Sequence, residues 1–168
     1  MTNLEAARAV IERVRGGGVR DFCVCGGSRN APLIKVLTDG RWPLTETNDP
    51  SANGERRTAN VFSFEDERSA AFFALGRIKR DERPVAVITT SGTAAAELLP
   101  AAVEAYYSGA PLILITADRP SRFRGTGAPQ AIEQVGLFGV YAATNVDRWN
   151  RRSPLHINVE FDEPLIDE

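Results

Sequence analysis

The sequence predicts an α/β domain of three layers, with a mostly parallel central sheet flanked by helices. Three observations carry that expectation. Helix-like and strand-like segments alternate along the chain. Two strand-like segments, "PVAVITT" and "PLILITA", are apolar almost without a break, as strands buried on both faces of a parallel sheet are. Most connections are short, which suits strand–helix–strand units.

Each element follows from its residues. Residues 4–15 place Leu4, Ala7, Ile11 and Val14 at helical spacing, and the glycines at 16–18 end that helix. Residues 22–25 form a short apolar strand. "GGSRN" then turns into a helix that tolerates Pro32 in its first turn and turns Leu33, Val36 and Leu37 inward. Residues 61–64 are a second strand and residues 68–79 a helix. "PVAVITT" is the third strand, and "SGT" leads into one helix from about residue 94 to residue 108, stopped by Gly109. "PLILITA" is the fourth strand and "HINVEF" the fifth. Two stretches fit less well. Residues 41–60 are polar and far longer than the usual connection of about 4–6 residues, which predicts an exposed insertion. Residues 144–153, "TNVDRWNRRS", look too short for the crossover that a parallel fifth strand needs.

The bulk properties exclude several functions. A chain of 168 residues fits one domain with a proper core. A net charge of −2 gives no basic surface for nucleic acid or anionic membrane. No apolar run approaches a membrane span, and the start, "MTNLEAARAVIERVR", lacks a signal peptide's continuous apolar stretch. A cytoplasmic protein is expected. Cys23 and Cys25 share one face of a strand, a geometry that does not favour a disulfide. With no other Cys or His nearby they are also a poor metal site, so no metal is expected and both read as small buried residues.

In a parallel sheet, ligands bind beyond the carboxyl ends of the strands. Four polar segments gather at that edge: "GGSRNAP", "EDER", "TTSGTA" and "ADRPSR". "CGGSRN" matches neither a dinucleotide fingerprint nor a P-loop; it reads as an anion site at a helix start or as a plain helix cap with a surface arginine. "TTSGTAAAE" has small residues that let a ligand approach, though a Ser/Thr cap explains it more simply. "TADRPSRFRG" carries Arg119, Arg122 and Arg124; the guanidinium fork suits carboxylates, and Arg122 and Arg124 read as solvated loop residues. His156 has no recognisable nucleophile partner and reads as structural. "EDER" poses a choice between helix-capping acids and one carboxylate held where water is scarce.

Taken in order, "GGSRNAPL", "FEDERSAAFFALG", "PVAVITTSGTAAAEL", "LILITADRP", "GAPQAIEQVGLFG" and "HINVEFDEPL" resemble the N-terminal pyrimidine-binding domain of the MenD family. These are the 2-succinyl-5-enolpyruvyl-6-hydroxy-3-cyclohexene-1-carboxylate synthases of menaquinone biosynthesis. The resemblance covers nearly the whole chain and implies a single pyrimidine-binding domain over residues 1–168. The family's central domain and its diphosphate-binding domain, which carries the magnesium motif, have no counterpart here, and "FDEPLIDE" falls where a domain boundary is expected. The resemblance implies thiamine diphosphate and Mg2+ as cofactors, and isochorismate and 2-oxoglutarate as substrates. It also implies a diphosphate domain contributed by another subunit, within a homodimer or homotetramer. The isolated domain is then expected to bind cofactor weakly and turn over nothing.

The same resemblance implies the site residues. Glu67 matches the glutamate that hydrogen-bonds N1′ of the aminopyrimidine, so that the 4′-nitrogen can remove the thiazolium C2 proton; the resulting ylid attacks 2-oxoglutarate, loses carbon dioxide and adds to isochorismate. Burial lifts a carboxylate's pKa toward the value such proton sharing needs, and Phe62, Phe64, Phe72 and Phe73 are the expected apolar wall. Ser91 and Gly92 match the turn that lines the pyrimidine pocket. Ser28 and Arg29 match a site for an isochorismate carboxylate, Arg119 a second carboxylate-binding arginine, and Gln130 a substrate-contacting glutamine. The family usually has a shorter loop at 41–60 and a helix before "HIN". Two other readings stay open: an acetolactate-synthase-like or decarboxylase-like enzyme, which needs no pair of carboxylate clamps, and a non-catalytic flavodoxin-like binding domain.

Overall fold

The computed structural model describes residues 1–39 and 59–166. The polar stretch expected at 41–60 therefore lies outside the described residues, apart from its last two. Five strands make one sheet: β1 (Asp21–Cys25), β2 (Asn60–Phe64), β3 (Val85–Thr89), β4 (Leu112–Asp118) and β5 (Leu155–Glu160). Their order is β2-β1-β3-β4-β5, and every neighbouring pair is parallel. Helices α1 (Asn3–Gly16) and α2 (Ala31–Thr38) pack on one face, and α3 (Glu67–Asp81) and α5 (Leu99–Ser108) on the other. The alternation along each strand sorts the core: Cys23, Val87 and Leu114 point to the second pair of helices, Val24, Ile88 and Ile115 to the first. The second layer is thin because α3 and α5 present alanines, among them Ala70, Ala74, Ala101 and Ala105, all fully buried. Among the described residues, no helix is long and apolar enough to cross a membrane.

The helix ends follow local chemistry. Thr2 caps α1 with a full capping box, its side chain accepting from Glu5 N while Glu5 bonds back to Thr2 N. Asp66 caps α3 by accepting from Ser69 N at 2.6 Å. The single helix expected over 94–108 is two: α4 (Thr93–Ala96) and α5, broken at Glu97–Leu98. Pro100 explains the break, because it cannot donate to the carbonyl of Ala96 and its ring would clash there. Gly109 stops α5 in the left-handed conformation at φ 66.

The fifth strand needs no special connection. The crossover from β4 to β5 runs over residues 119–154, not 144–153, so it is ample for a parallel return. It holds no α-helix; two 3-10 turns, Ser121–Phe123 and Gly139–Tyr141, shape it, and Phe138 drops from it into the core. Residues 144–153 are only its last stretch, which is why that stretch alone looked too short.

The amino-terminal edge of the sheet is fastened by Asp21, whose side chain is 3% exposed. It accepts from Asn60 Nδ2 at 2.7 Å and from Arg77 Nε and Nη2 at 3.0 and 2.7 Å, tying β1 to β2 and to α3. Burial works to raise its pKa, but the Asn60 and Arg77 bonds outweigh burial and hold it below the ordinary carboxyl value of 3.8. The stability it supplies is thus complete above that value and is lost as pH falls through the lowered one. Replacing Arg77 with Met leaves this carboxylate with one partner, and urea unfolding at neutral pH should show a lower midpoint than wild type.

Candidate functional site

The strand order sets the place where a ligand can enter. From β1 the chain passes through α2 on one face; from β3 it passes through α4 and α5 on the other. The connections therefore diverge at the carboxyl ends of β1 and β3 and leave a crevice between them. The turn after β1 is closed by Asn30, fully buried, whose Nδ2 donates to Cys25 O at 2.8 Å while its Oδ1 accepts from Gly27 N at 2.9 Å. Gly27 lies directly on the turn after β3: a Cβ there would sit 2.6 Å from Thr90 Cβ. Gly92 is the second close approach, with φ +80 and a Cβ position 2.9 Å from Gln130 Cα. Both positions demand glycine, the first for space and the second for space and backbone conformation.

A buried amide network supports these turns. Gln134, fully buried, accepts from Gly92 N through Oε1 at 2.7 Å. Its Nε2 donates to Ala117 O at 3.1 Å and Asn158 Oδ1 at 3.0 Å. Asn158 Nδ2 donates to Asp118 Oδ2 at 2.9 Å, and Thr116 Oγ1 donates to Asn158 Oδ1 at 2.8 Å. Thr116 has one hydroxyl proton, so the neutral His156 Nε2, 2.8 Å away, is the donor to it. Burial pushes His156 down to about 4, against the opposing pull of Asp118, and its ring stands edge-on to Phe138 at 4.6 Å. The structural reading of His156 agrees with this environment. Arg124 completes the network, bridging Asp118 at 3.0 Å and Glu160 at 2.9 Å, and Arg122 grips both oxygens of Asp162. Arg122 stays exposed, as a solvated loop arginine should, whereas Arg124 is not the solvated loop residue expected; it folds back because the crossover returns beside the end of β5.

The residues singled out in the sequence reach this region unequally. Glu67 opens α3, half-buried, and no described residue bonds or pairs with its carboxylate. It lies close enough to Cys25 to act on it: burial first, then Glu67 and Asp66, push that thiol up to about 12. The expected dry wall is only partly there. Phe62 and Phe64 are partly buried, but Phe72 and Phe73 are 45% and 39% exposed. Phe73 does pack on the rings of Phe62 and Phe64, at 5.2 and 5.1 Å, on an edge strand that nothing described covers. Ser91 and Gly92 are buried in the turn after β3. Arg119, after β4, donates through Nε to Pro129 O at 2.8 Å, which brings it to the same 129–134 segment that packs on Gly92. Gln130 sits there with φ 54; its backbone abuts Gly92 and the residue is exposed. Ser28 is exposed. Arg29 is buried and turns the other way, to Phe161 O at 3.0 Å and Glu163 Oε1 at 3.1 Å. Gln134, Asn158 and Asn30 were not singled out. Asn30 and Gln134 are polar residues in or beside turns and Asn158 a polar residue inside β5, and nothing local marks any of them as a partner of a distant turn.

The donor set suits one end of a particular kind of ligand. A carboxylate that no described residue pairs with, near two close-packed turns, can receive a flat ring whose nitrogen carries a proton. Beneath it the registers place Phe64, Cys25, Thr89 and Thr116 in one row, and Thr89 Oγ1 is buried there without a hydrogen-bond partner. Among the described residues no group of three or more His, Cys, Asp or Glu could hold a metal ion.

The family described as thiamine pyrophosphate enzyme, N-terminal TPP binding domain, matches residues 4–137. The chain is similar to 2-succinyl-5-enolpyruvyl-6-hydroxy-3-cyclohexene-1-carboxylate synthase of Bdellovibrio bacteriovorus, with 49% identity over 99% of this chain and 31% of that protein. The synthase of the same name from Akkermansia muciniphila is 49% identical over 88% of this chain and 27% of its own length. That of Corynebacterium diphtheriae is 43% identical over 97% and 30%. The chain thus spans less than a third of the length of these curated relatives.

The lowered pKa of His156 has a measurable consequence. The unfolded chain takes up a proton near 6.5 and the folded protein only near 4, so stability is complete above 6.5 and is lost as pH falls between these values. Urea unfolding should show a slope approaching about 1.4 kcal/mol per pH unit in that range. His156→Gln should flatten the slope between pH 6.5 and about 5, where few carboxylates titrate; an unchanged slope would assign it to other groups.

Proposed function

Because the chain belongs to the family of thiamine pyrophosphate enzyme N-terminal TPP binding domains, we propose that it is the pyrimidine-binding domain of a 2-succinyl-5-enolpyruvyl-6-hydroxy-3-cyclohexene-1-carboxylate synthase of menaquinone biosynthesis. One observation carries the reading: Glu67 is an unpaired carboxylate beside the carboxyl end of β1, near the crevice that the turns at Gly27 and Gly92 enclose. When bound, thiamine diphosphate supplies a thiazolium carbon that can hold the carbanion left when a 2-oxo acid loses carbon dioxide. Glu67 holds the proton at the pyrimidine N1′. The Ser91–Gly92 turn seats the ring, and the glycine lets that turn hold φ +80 with the Gln130 backbone packed against it.

The acceptor and donor are isochorismate and 2-oxoglutarate. Arg119 has its Nη groups available beyond its bond to Pro129 and binds one carboxylate, with Gln130 beside it. Ser28 and Arg29 bind the other carboxylate, and Arg29 must first release Glu163, which is 64% exposed and free to swing away. Mg2+ and the diphosphate belong to a domain contributed by another subunit of a cytoplasmic homodimer or homotetramer. Arg119 separates this reading from an acetolactate-synthase-like enzyme, whose small acceptor needs no such clamp.

The test uses the full-length enzyme. Glu67→Gln should slow thiazolium C2 proton exchange by about a hundredfold or more, with the fold unchanged. Exchange at the wild-type rate removes Glu67 from its role. With 2-oxoglutarate as donor, isochorismate should be consumed and pyruvate ignored; the reverse preference supports the acetolactate-like alternative.

A further inference from the structure

We infer that Gln134 is a positioning residue for the cofactor-lining turn, setting the orientation of the Ser91–Gly92 peptide that receives the pyrimidine. The inference rests on the proposed role of that turn. Gly92 lies at φ +80 and ψ −135, a conformation without side-chain help. Its N–H points to Gln134 Oε1 at 2.7 Å, the one side-chain bond to Gly92 among the described residues. A planar trans peptide then turns the Ser91 carbonyl to the opposite side. Gln134 cannot drift, because its Nε2 is held by Ala117 O and Asn158 Oδ1 and the residue is wholly buried. The amide therefore measures a fixed span from the ends of β4 and β5 to the turn after β3.

The same segment reaches the substrate arginine. Pro129 O takes the Nε of Arg119, Gln130 backbone abuts Gly92, and Gln134 holds Gly92 N. A shift of the 129–134 segment thus moves the ring-binding turn and the Arg119 turn together. Removing the amide leaves Gly92 N buried without its acceptor, and the peptide rotates to find another.

The test again uses the full-length enzyme, with thiamine diphosphate binding followed by calorimetry and thiazolium C2 exchange followed in saturated protein. Gln134→Met keeps volume and removes both amide functions; cofactor Kd should rise about tenfold or more and exchange should slow by a similar factor. Arg77→Met is the stability control. It breaks the buried Asp21 bonds at the opposite, amino-terminal edge of the sheet and leaves the Gly92–Gln134 bond, so Tm should fall with Kd within about threefold of wild type. Gln134→Glu keeps an acceptor for Gly92 N and should keep Kd closer to wild type than Gln134→Met does. If Gln134→Met does not fold, Gln134→Ser, whose hydroxyl is too short to reach Gly92 N, takes its place: a Kd raised about tenfold over wild type and Arg77→Met supports the inference, and equal Kd values in all three overturn it. A folded Gln134→Met with lowered Tm and wild-type Kd and exchange makes Gln134 merely structural. A wild-type enzyme that does not bind thiamine diphosphate overturns the proposed function, and the inference with it.

Discussion

Gly27 and Thr90 stand so close that no side chain fits between them; a Cβ on the glycine would lie 2.6 Å from Thr90 Cβ. This contact locks the turn after β1 onto the turn after β3, at the point where the chain's connections part to opposite faces of the sheet. The crevice depends on it. A bulkier residue would wedge the two turns apart and separate the Asn30-braced turn from Ser91 and Gly92. The sheet beneath can hold the turns this rigidly because its strands are buried on both faces, with β1, β3 and β4 fully inaccessible along their length.

Polarity in this domain is concentrated at the carboxyl edge and is almost wholly partnered. Gln134, Asn158, Thr116, His156 and Asp118 exchange hydrogen bonds in a chain that crosses from the turn after β3 to the end of β5. Such a network is costly if any member is left unpaired, which makes it rigid when complete. Glu67 stands apart from it, unpaired and only half-buried. The exposed Phe72 and Phe73 beside it mean that this chain alone does not dry its carboxylate.

Arg29 and Arg119 illustrate how a shared chemical reading can hide different settings. Both follow a strand, and both have a fork suited to carboxylates. Arg119 spends one nitrogen on Pro129 O and lies over the Phe123 ring at 5.7 Å. Arg29 is buried against Phe161 O and an internal carboxylate, Glu163. The strap that carries Glu163 is itself tied to α1, through Asn3 Nδ2 to Asp162 O and Pro164 O. An acceptor that uses Arg29 has to compete with the domain's own acid.

Periodicity and turn chemistry act over a few residues, and what they govern was legible in the chain. The five strands, the capped start of α3 and the glycine stop of α5 all follow from neighbours in sequence. The broken helix was legible too, had Pro100 been weighed against the apolar run. Partners more than about ten residues apart were not. Nothing local says that the turn after β1 meets the turn after β3 while β2 lies outside both, that Gln134 reaches back 42 residues to Gly92, or that Arg29 spans 132 residues to Phe161. Those pairings are settled by strand order and register, which depend on how whole faces of the sheet bury against their helices, and only the assembled fold decides them.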